Sequence, residues 1–206
     1  MIGTMTLDLP VAGNAPPPER GDAQRNRARV IEAAESLFCG GDVARVDMRD
    51  IAAEAGVGVG TLYRRFGDKA ALLGSVLDRR ARELQDAILT GEPPLGPGAP
   101  PEERLIAFLD ALVDHTEAEL TLITALEGLR PGARFAIGPY PAWRLHTMVL
   151  LEQIGGDYDA AWCAEALLAP LSPGLYAHQR RERGLTTAEI KRHIAGLARA
   201  VYGSRA

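Results

Sequence analysis

Residues 57–69 read VGVGTLYRRFGDK, and this stretch decides the fold. Two adjacent arginines, Arg64 and Arg65, stand between the aromatic residues Tyr63 and Phe66. Glycine and small or β-branched residues come before them, a pattern typical of a tight turn that leads into a short helix. The stretch therefore predicts a turn followed by a helix over residues 59–66.

Another short helix is predicted immediately upstream. MRDIAAEA at residues 48–55 follows Asp47, whose side chain is well suited to cap a helix N-terminus. Gly56 can adopt the positive φ that a tight turn requires. Ala52 lets two helix backbones approach closely, and Leu62 is expected to point back between them. Two helices joined by a glycine turn predict a helix-turn-helix unit.

The whole chain is predicted to be all-α. Aromatic residues make up only 5% of the 206 residues, whereas alanine, leucine and glycine are abundant, which favours helices over a sheet sandwich. Apolar periodicity predicts further helices from Arg25 to Gly40, 69–90, 102–129, 141–154, 158–183 with a break near Pro170 and Pro173, and 187–202. Thr186 and Glu189 match the capping-box pattern at the start of the last helix.

Composition shifts along the chain predict its domains. GEPPLGPGAPP at residues 91–101 is rich enough in proline and glycine to mark a boundary, either as a stiff spacer or as a mobile loop. The predicted divisions are a disordered tail (1–19), a helix-turn-helix domain (20–68), a connecting helix and loop (69–101), and a body for ligand binding and dimerisation (102–206).

Charge and motifs exclude several classes of protein. The net charge is −4, but residues 19–82 carry 12 basic against 10 acidic residues, whereas residues 83–206 carry 11 against 16. The N-terminal residues have neither a basic start nor a long apolar run, so we expect no signal peptide or membrane anchor and a cytoplasmic location. The sequence shows no matched metal-ligand spacing, no G-x-S-x-G elbow and no dinucleotide-binding glycine loop, so no metal, cofactor or catalytic residue is predicted.

The helix-turn-helix unit predicts a nucleic-acid interface. The second helix of such a unit lies in the DNA major groove, where an arginine can form two hydrogen bonds to guanine and discriminate by about 1–3 kcal/mol. We predict that Arg64 reads a base and that Thr61, Tyr63 and Lys69 contact phosphates. The complete set of predicted DNA-binding residues is Arg27, Arg29, Met48, Gly58, Val59, Gly60, Thr61, Tyr63, Arg64, Arg65 and Lys69.

Residues 25–73 resemble the N-terminal domain of TetR-family transcriptional regulators. The resemblance is carried by RARVIEAAESLF, MRDIAAEAGV and GTLYRRFGDKAALL in that order. It implies an all-helical homodimer with a DNA-binding head, a larger ligand-binding body and double-stranded DNA as partner. Three positions depart from the family pattern: Gly58 replaces the usual Ser or Thr, Arg65 a usual His, and Asp42 a usual Gly. Gly58 offers no hydroxyl to DNA, and Arg65 can restore the lost phosphate affinity.

The body contains a local concentration of aromatic residues within FAIGPYPAWRLHTM, residues 135–148. Aromatic side chains around one or two polar groups are typical of an apolar ligand pocket, although the same residues can also fill an ordinary helical core or lie on the surface. The predicted effector-binding residues are His115, Phe135, Tyr140, Trp143 and His146.

The last helices are predicted to form the homodimer interface. DAAWCAEALLAPL and AEIKRHIAGLARAVY have apolar faces suited to a four-helix seam across a two-fold axis. The predicted anchors are Trp162, Leu167, Ile194, Leu197 and Val201.

The sequence favours a repressor that a small apolar or aromatic molecule releases from a palindromic operator. A ligand-independent or activating regulator stays open, as does an interaction module or enzyme whose head has lost DNA binding.

Overall fold

The computed structural model describes residues 18–203, and within that range the chain forms helices and turns without any strand. The predicted all-α fold is therefore confirmed. The helices are α1 Pro18–Gly40, α2 Met48–Glu54, α3 Val59–Phe66, α4 Lys69–Arg80, α5 Arg82–Thr90, α6 Pro101–Leu129, α7 Tyr140–Ile154, α8 Ala160–Leu168, α9 Pro173–Arg181 and α10 Thr187–Gly203. Two 3-10 turns, Ala133–Phe135 and Ala169–Leu171, follow α6 and α8.

The first helix begins earlier than the periodicity indicated, at Pro18 instead of Arg25. Proline is tolerated in the first turn of a helix, because the N–H that it lacks would have no partner within the helix. The tail predicted for residues 1–19 lies outside the described residues except for its last two positions, which belong to α1.

Reciprocal side-chain caps set the starts of α2 and α10. A carboxylate oxygen of Asp47 accepts the backbone N–H of Arg49 at 2.8 Å, and Asp50 accepts the backbone N–H of Asp47 at 3.0 Å. Glu189 accepts the backbone N–H of Thr186 at 2.8 Å, and the Thr186 hydroxyl accepts the N–H of Glu189 at 3.2 Å. Both caps were predicted from sequence, and both satisfy N–H groups that a helix leaves without partners.

Helices α1–α4 enclose one apolar core, which we call the head core. Its most deeply buried members include Phe38, Ile51, Ala52, Leu62, Leu72, Leu73 and Val76. Gly56, at φ +63°, turns the chain between α2 and α3. The distal part of α6 adds Leu122 and Leu126 to the same core. Through these residues the body helix α6 packs against α4, the helix that follows the helix-turn-helix unit.

A second apolar core lies between the remaining helices, and we call it the body core. Its buried members include Leu105, Phe108, Leu112, Leu151, Leu167, Tyr176 and Ile190. Because α6 supplies residues to both cores, this helix is a common wall of the head and the body.

The connecting helix predicted for residues 69–90 is interrupted. Ala81 separates α4 from α5 with φ −77° and ψ −6°, a right-handed conformation whose ψ departs from the usual helical value of about −42°. The Ala81 N–H still bonds to the Leu77 carbonyl at 2.9 Å, and the side chain is fully buried. The predicted helix is thus divided at this one residue into α4 and α5. At 1.5 Å per residue, α4 alone is about 18 Å long.

Ion pairs attach both ends of α4 to other helices. At its C-terminal end, Nε of Arg80 donates to Glu119 of α6 at 2.6 Å, and Nη1 donates to Glu35 of α1 at 3.1 Å. At its N-terminal end, the N-cap residue Asp68 pairs with Arg130, which follows α6. Glu119 is only 4% exposed, so its charge needs this partner inside the protein.

The middle of α4 lies directly against the segment that joins α6 to α7. A Cβ placed on Gly74 would come within 3.3 Å of the backbone nitrogen of Gly138 and 3.4 Å of Cβ of Ile137. Only glycine permits this separation without displacing the neighbouring backbone. We call residues 130–139 the connector; together with α6 it is the part of the body that contacts α4.

The proline- and glycine-rich loop at residues 91–100 is folded back on itself. The N–H of Gly96 bonds to the Glu92 carbonyl at 3.0 Å, and Leu95 packs against the body core. Composition left a stiff spacer and a mobile loop open, and the structure instead shows a compact turn anchored by one apolar side chain. None of the helices within residues 18–203 is long and apolar enough to cross a membrane.

The Arg80–Glu119 pair should contribute measurably to stability. We expect Glu119→Gln to lower the free energy of unfolding by about 1–3 kcal/mol, because it removes a charged hydrogen bond but leaves Arg80 its contact with Glu35. Urea denaturation measures the change. Glu152→Gln, an exposed position on α7, is the matched control and should change stability little. Equal stability of both variants would contradict this role.

Candidate nucleic-acid interface and ligand cavity

One face of α3 packs in the head core, and the opposite face is exposed to solvent. Leu62 and Phe66 are buried in the head core, at 1% and 8% exposure. The exposed residues of α3 are Gly60, Thr61, Tyr63, Arg64 and Arg65. This division follows from helical periodicity, since Leu62 and Phe66 are four positions apart and share one face. The predicted base-reading and phosphate-contacting residues of α3 thus lie on an accessible surface.

The two arginines of α3 are not engaged within the protein. Among residues 18–203, neither Arg64 nor Arg65 forms an ion pair or a side-chain hydrogen bond, in contrast to Arg79 and Arg80 on the next helix. Their guanidinium groups lie in the last turn of α3, where positive charge is favoured by the helix dipole. Two free cations on a short, well-anchored helix can bind phosphate oxygens or acceptors on bases.

The N-terminal end of α3 is also open. Gly58 occupies the N-cap position in an extended conformation and provides no side-chain cap. The Gly58 carbonyl accepts from Thr61 and Leu62, and the N–H groups of Val59 and Gly60, in the first turn, have no acceptor within the helix. Val59 is half-buried against the head core, so it contributes less exposed surface than predicted.

Three basic residues near α3 make contacts inside the protein. Lys69 Nζ donates to the Ala44 carbonyl at 3.3 Å, and burial lowers the pKa of Lys69 although Asp47 and Asp42 act in the opposite direction. Arg27 is 5.7 Å from the ring centre of Phe66. Arg29 donates to the Asn26 side chain at 2.8 Å. These are exposed or half-buried contacts that a nucleic acid can replace.

Met48 does not fit its predicted role. Its side chain is only 4% exposed and packs in the head core. As the first residue of α2, it fills the space between α2 and its neighbours, so its side chain cannot reach a nucleic acid. The prediction that Met48 contacts DNA is therefore corrected.

A cavity lies where the head core and the body core meet. Leu77 of α4 and Leu126 of α6 belong to the head core, whereas Leu112, Trp143 and Leu168 belong to the body core, and all five line it. The remaining lining residues are His115, Thr116, Ile123, Arg134, Ile137, Pro139, Tyr140 and Leu171. Its free volume is about 40 Å³, room for only a few water molecules.

Three of the five predicted effector-binding residues line this cavity. His115 and Trp143 meet edge to face with ring centres 4.8 Å apart, and Tyr140 lies beside them. Phe135 is 60% exposed and contacts Tyr140 from outside, and His146 packs on Phe108. Neither Phe135 nor His146 belongs to the lining. Of the five predicted effector-binding residues, three therefore form the cavity wall and two lie beside it.

Sequence reasoning missed Thr116 and Arg134, two polar residues of the cavity wall. Thr116 is 2% exposed and Arg134 is 8% exposed. Thr116 is adjacent to His115, so helical neighbours of a predicted site residue were a usable signal. Arg134 gave no such signal, because an arginine in a loop is normally solvent-exposed.

Burial keeps the two histidines of this region neutral. Desolvation, together with the positive charge of Arg80, lowers the pKa of His115 to about 4. Desolvation, together with Arg104, lowers the pKa of His146 to about 4. Both imidazoles are therefore uncharged at neutral pH. Among residues 18–203, no three His, Cys, Asp or Glu side chains lie close enough to hold a metal ion.

The predicted dimer anchors divide into exposed and buried groups. Trp162 on α8 is 68% exposed and Leu197 on α10 is 43% exposed, while Val201 is half-buried. Leu167 and Ile194 are 0% and 3% exposed and belong to the body core. Their assignment as interface anchors is corrected, because a side chain buried within its own protomer cannot contact a second copy.

Residues 30–76 match a family model described as "Bacterial regulatory proteins, tetR family". The chain is 47% identical over 60 residues to helix-turn-helix-type transcriptional regulators of Staphylococcus aureus strains USA300 and NCTC 8325. Each match covers 29% of this chain and 32% of the relative, so the chain matches about a third of the length of these curated relatives.

Solved structures resemble the chain over most of its length. A TetR transcriptional regulator from Rhodococcus sp. RHA1 has a TM-score of 0.59 at 23% identity and covers 90% of this chain and 99% of its own. A putative transcriptional regulator from Pseudomonas aeruginosa PAO1 has a TM-score of 0.60 at 23% identity, covering 88% of this chain and 92% of its own. At these identities the likeness shows that the fold is shared.

The low histidine pKa values predict a specific dependence of stability on pH. The unfolded chain takes up protons on His115 and His146 below about pH 6.5, whereas the folded chain takes them up only near pH 4. The free energy of unfolding should therefore fall as pH decreases from 6.5 to 4. Urea denaturation at several pH values measures this change, and His115→Asn should remove part of it. Titration of the imidazole NMR signals of His115 and His146, assigned by substitution, near pH 6.5 would contradict the prediction.

Proposed function

Since the chain belongs to the TetR family of transcriptional regulators, we propose that it is a repressor that binds a palindromic operator as a homodimer and is released by a small apolar ligand. The family assignment separates it from enzymes. The observation that carries the proposal is the exposed face of α3, with Arg64 and Arg65 free of partners inside the described part of the protein.

Operator recognition is assigned to α3. Arg64 is the base reader, because a guanidinium can donate two parallel hydrogen bonds to guanine O6 and N7. Thr61, Tyr63 and Arg65 flank it and contact phosphates, which fix the position of the helix on the duplex without reading sequence. The uncapped N–H groups after Gly58 supply a further phosphate contact, in place of the hydroxyl that the glycine lacks. A DNA partner also implies a cytoplasmic location.

The palindromic operator follows from a two-fold symmetric protein. Two copies of α3 reach successive major grooves only if they lie about 34 Å apart, so each half-site is read by one protomer. The exposed Trp162 and Leu197 support an interface built from α8 and α10, because large apolar side chains on a surface are favourable contact sites between copies. The two buried leucine and isoleucine positions hold these helices in place from inside.

Ligand release is supported by the position of the cavity. Leu77 of α4 and Ile137 of the connector both line it, and the connector contacts α4 at Gly74 and through the Arg130–Asp68 pair. A ligand that enlarges the cavity must displace these groups, which moves α4 and the α3 that precedes it. The required effect is modest, since a coupling of about 1–3 kcal/mol changes operator affinity about 5- to 150-fold.

A ligand-independent or activating regulator is the second candidate. It is supported by the small free volume of about 40 Å³, because ligand pockets in proteins usually reach about 300–1,000 Å³. Transcription from the operator with the protein present and absent separates a repressor from an activator. The same assay with inducing molecules separates ligand-dependent from constitutive control.

Selection of genomic fragments by the purified protein at physiological salt tests the proposed function directly. We expect a recovered palindrome, bound with a dissociation constant of about 10 nM or tighter. Titration in rising salt should weaken binding steeply, since phosphate contacts release counterions. Only weak binding that is indifferent to sequence would overturn the proposal.

Arg64→Ala should then reduce sequence discrimination on the recovered operator. Loss of one bidentate contact should lower the ratio of specific to non-specific affinity by about 5- to 150-fold. Arg64→Lys should keep much of the salt dependence but not the discrimination, because an ammonium group lacks the planar fork. Arg181→Ala, an exposed position on α9, is the control. An unchanged ratio in Arg64→Ala would remove Arg64 as the base reader.

Substitutions at Trp162 and Leu197 test the proposed dimer. We expect Trp162→Glu and Leu197→Arg to shift sedimentation toward the monomer, because each places a charge in an apolar interface. Leu89→Arg is the control, since Leu89 on α5 is 67% exposed and lies outside α8 and α10. Dimers that persist in both variants would place the interface elsewhere.

A further inference from the structure

The polar groups of the cavity wall have a common character. Arg134 presents a guanidinium, Trp143 an indole N–H and Thr116 a hydroxyl, and each of these residues is more than nine-tenths buried. No Asp or Glu belongs to the lining. The wall therefore offers hydrogen-bond donors and one positive charge, with no negative charge to balance it.

Several of these polar atoms have no partner within residues 18–203. Nε of Arg134, Nε1 of Trp143 and Nε2 of His115 are buried and make no hydrogen bond there. An indole N–H can only donate, and a guanidinium can only donate. Leaving such donors buried and unsatisfied is unfavourable, so the cavity favours a molecule that brings hydrogen-bond acceptors, whether water or the oxygen atoms of a ligand.

The Arg134 side chain is held by aromatic rings and forms no ion pair with a carboxylate among residues 18–203. Its guanidinium lies 4.6 Å from the ring centre of Tyr140 and 5.1 Å from that of Phe135. Glu127 accepts the backbone N–H groups of Arg134 and Gly132, at 3.3 and 3.0 Å, but does not form an ion pair with the Arg134 side chain. The aromatic rings orient the cation, and the carboxylate of Glu127 orders the connector around it.

His115 does not change this balance. Because burial and Arg80 keep its pKa near 4, its imidazole is neutral at physiological pH. Its unpartnered Nε2 can then donate to or accept from a ligand, depending on the tautomer. The net charge of the wall at neutral pH comes from Arg134.

We propose that the cavity binds an apolar molecule that carries one carboxylate, with the carboxylate paired to Arg134 and the apolar part among Leu77, Leu112 and Leu171. This inference rests on the proposed function and specifies the chemical class of its effector. A cationic amine is disfavoured, because it would meet the buried guanidinium without finding a carboxylate. A neutral alcohol of the same length can fill the apolar part but cannot satisfy the charge.

The free volume indicates what binding does to the structure. A fatty or aryl carboxylate is larger than about 40 Å³, so it enters only by displacing part of the wall. Arg134, Ile137 and Pro139 belong to the connector, whereas most of the other lining residues lie on the helices α4, α6 and α7. A ligand carboxylate that pairs with Arg134 would therefore displace the connector, which contacts α4. This contact links the charge of the ligand to operator release.

The tryptophan content of the chain gives a direct assay. Only Trp143 and Trp162 are present in the sequence, so Trp162→Phe leaves Trp143, in the cavity wall, as the sole fluorescent reporter. Octanoate, octanol and octylamine share one alkyl chain and absorb no light where tryptophan is excited. We expect octanoate to change Trp143 fluorescence and to bind about tenfold more tightly than octanol, with octylamine weakest.

Variants of Arg134 in the same background assign the preference to its charge. Arg134→Met should lower octanoate affinity about tenfold, to that of octanol, while octanol affinity stays within about twofold. Arg134→Lys should retain the preference for octanoate, which keeps the test valid if the methionine variant folds poorly. Arg181→Met is the control for loss of an exposed arginine. Octanol binding as tight as octanoate, or a preference that survives Arg134→Met, would overturn the inference.

The carboxylate assignment and the proposed function can fail independently of each other. A recovered operator together with no fluorescence response to octanoate would overturn the carboxylate assignment and leave the regulator intact. Failure to recover any operator would overturn the proposed function even if octanoate binds through Arg134. Operator affinity measured with and without saturating octanoate then shows whether the cavity controls DNA binding.

Discussion

Helix α4 is attached to the body by apolar packing on α6 and by ion pairs at both of its ends. Arg80 joins α4 to Glu119 of α6 and Glu35 of α1, and Asp68 joins its other end to Arg130. Because Asp68 also accepts the N–H of Ala71 at 2.8 Å, the same carboxylate starts the helix and attaches it to the body. Helix α3 packs on α2 and α4 within the head core, so α4 is the helix that connects the exposed α3 face to these contacts with the body.

Much of the head could be predicted from its sequence, because local rules decide its structure. The Asp47 cap, the turn at Gly56 and the buried Leu62 each depend on residues within a few positions of one another, and the same holds for the Thr186 cap in the body. The interruption at Ala81 could not be predicted in this way. Alanine favours helices, and here a buried position between two attached segments imposes a different backbone angle.

The dimer and effector residues were predicted less accurately for a different reason. Periodicity shows which face of a helix is apolar, but it does not show whether that face packs inside the protomer or against another copy. Leu167 and Ile194 therefore could not be distinguished from Trp162 and Leu197 in the sequence. Arg134 is buried only because the connector turns at Gly132, with φ +76°, and is ordered by Glu127, a set of contacts that no spacing rule encodes.

The backbone contact between Gly74 and Gly138 has a mechanical consequence. Side chains between two packed elements usually absorb small displacements by changing rotamer, and this makes most helix contacts compliant. Gly74 and Gly138 have no side chains, and a Cβ on Gly74 would already lie 3.3 Å from the Gly138 nitrogen. A side chain at residue 74 would therefore force the connector and α4 apart by a few tenths of an ångström. The glycine allows the two backbones to lie next to each other, so a displacement of the connector toward α4 acts on the helix backbone without an intervening side chain.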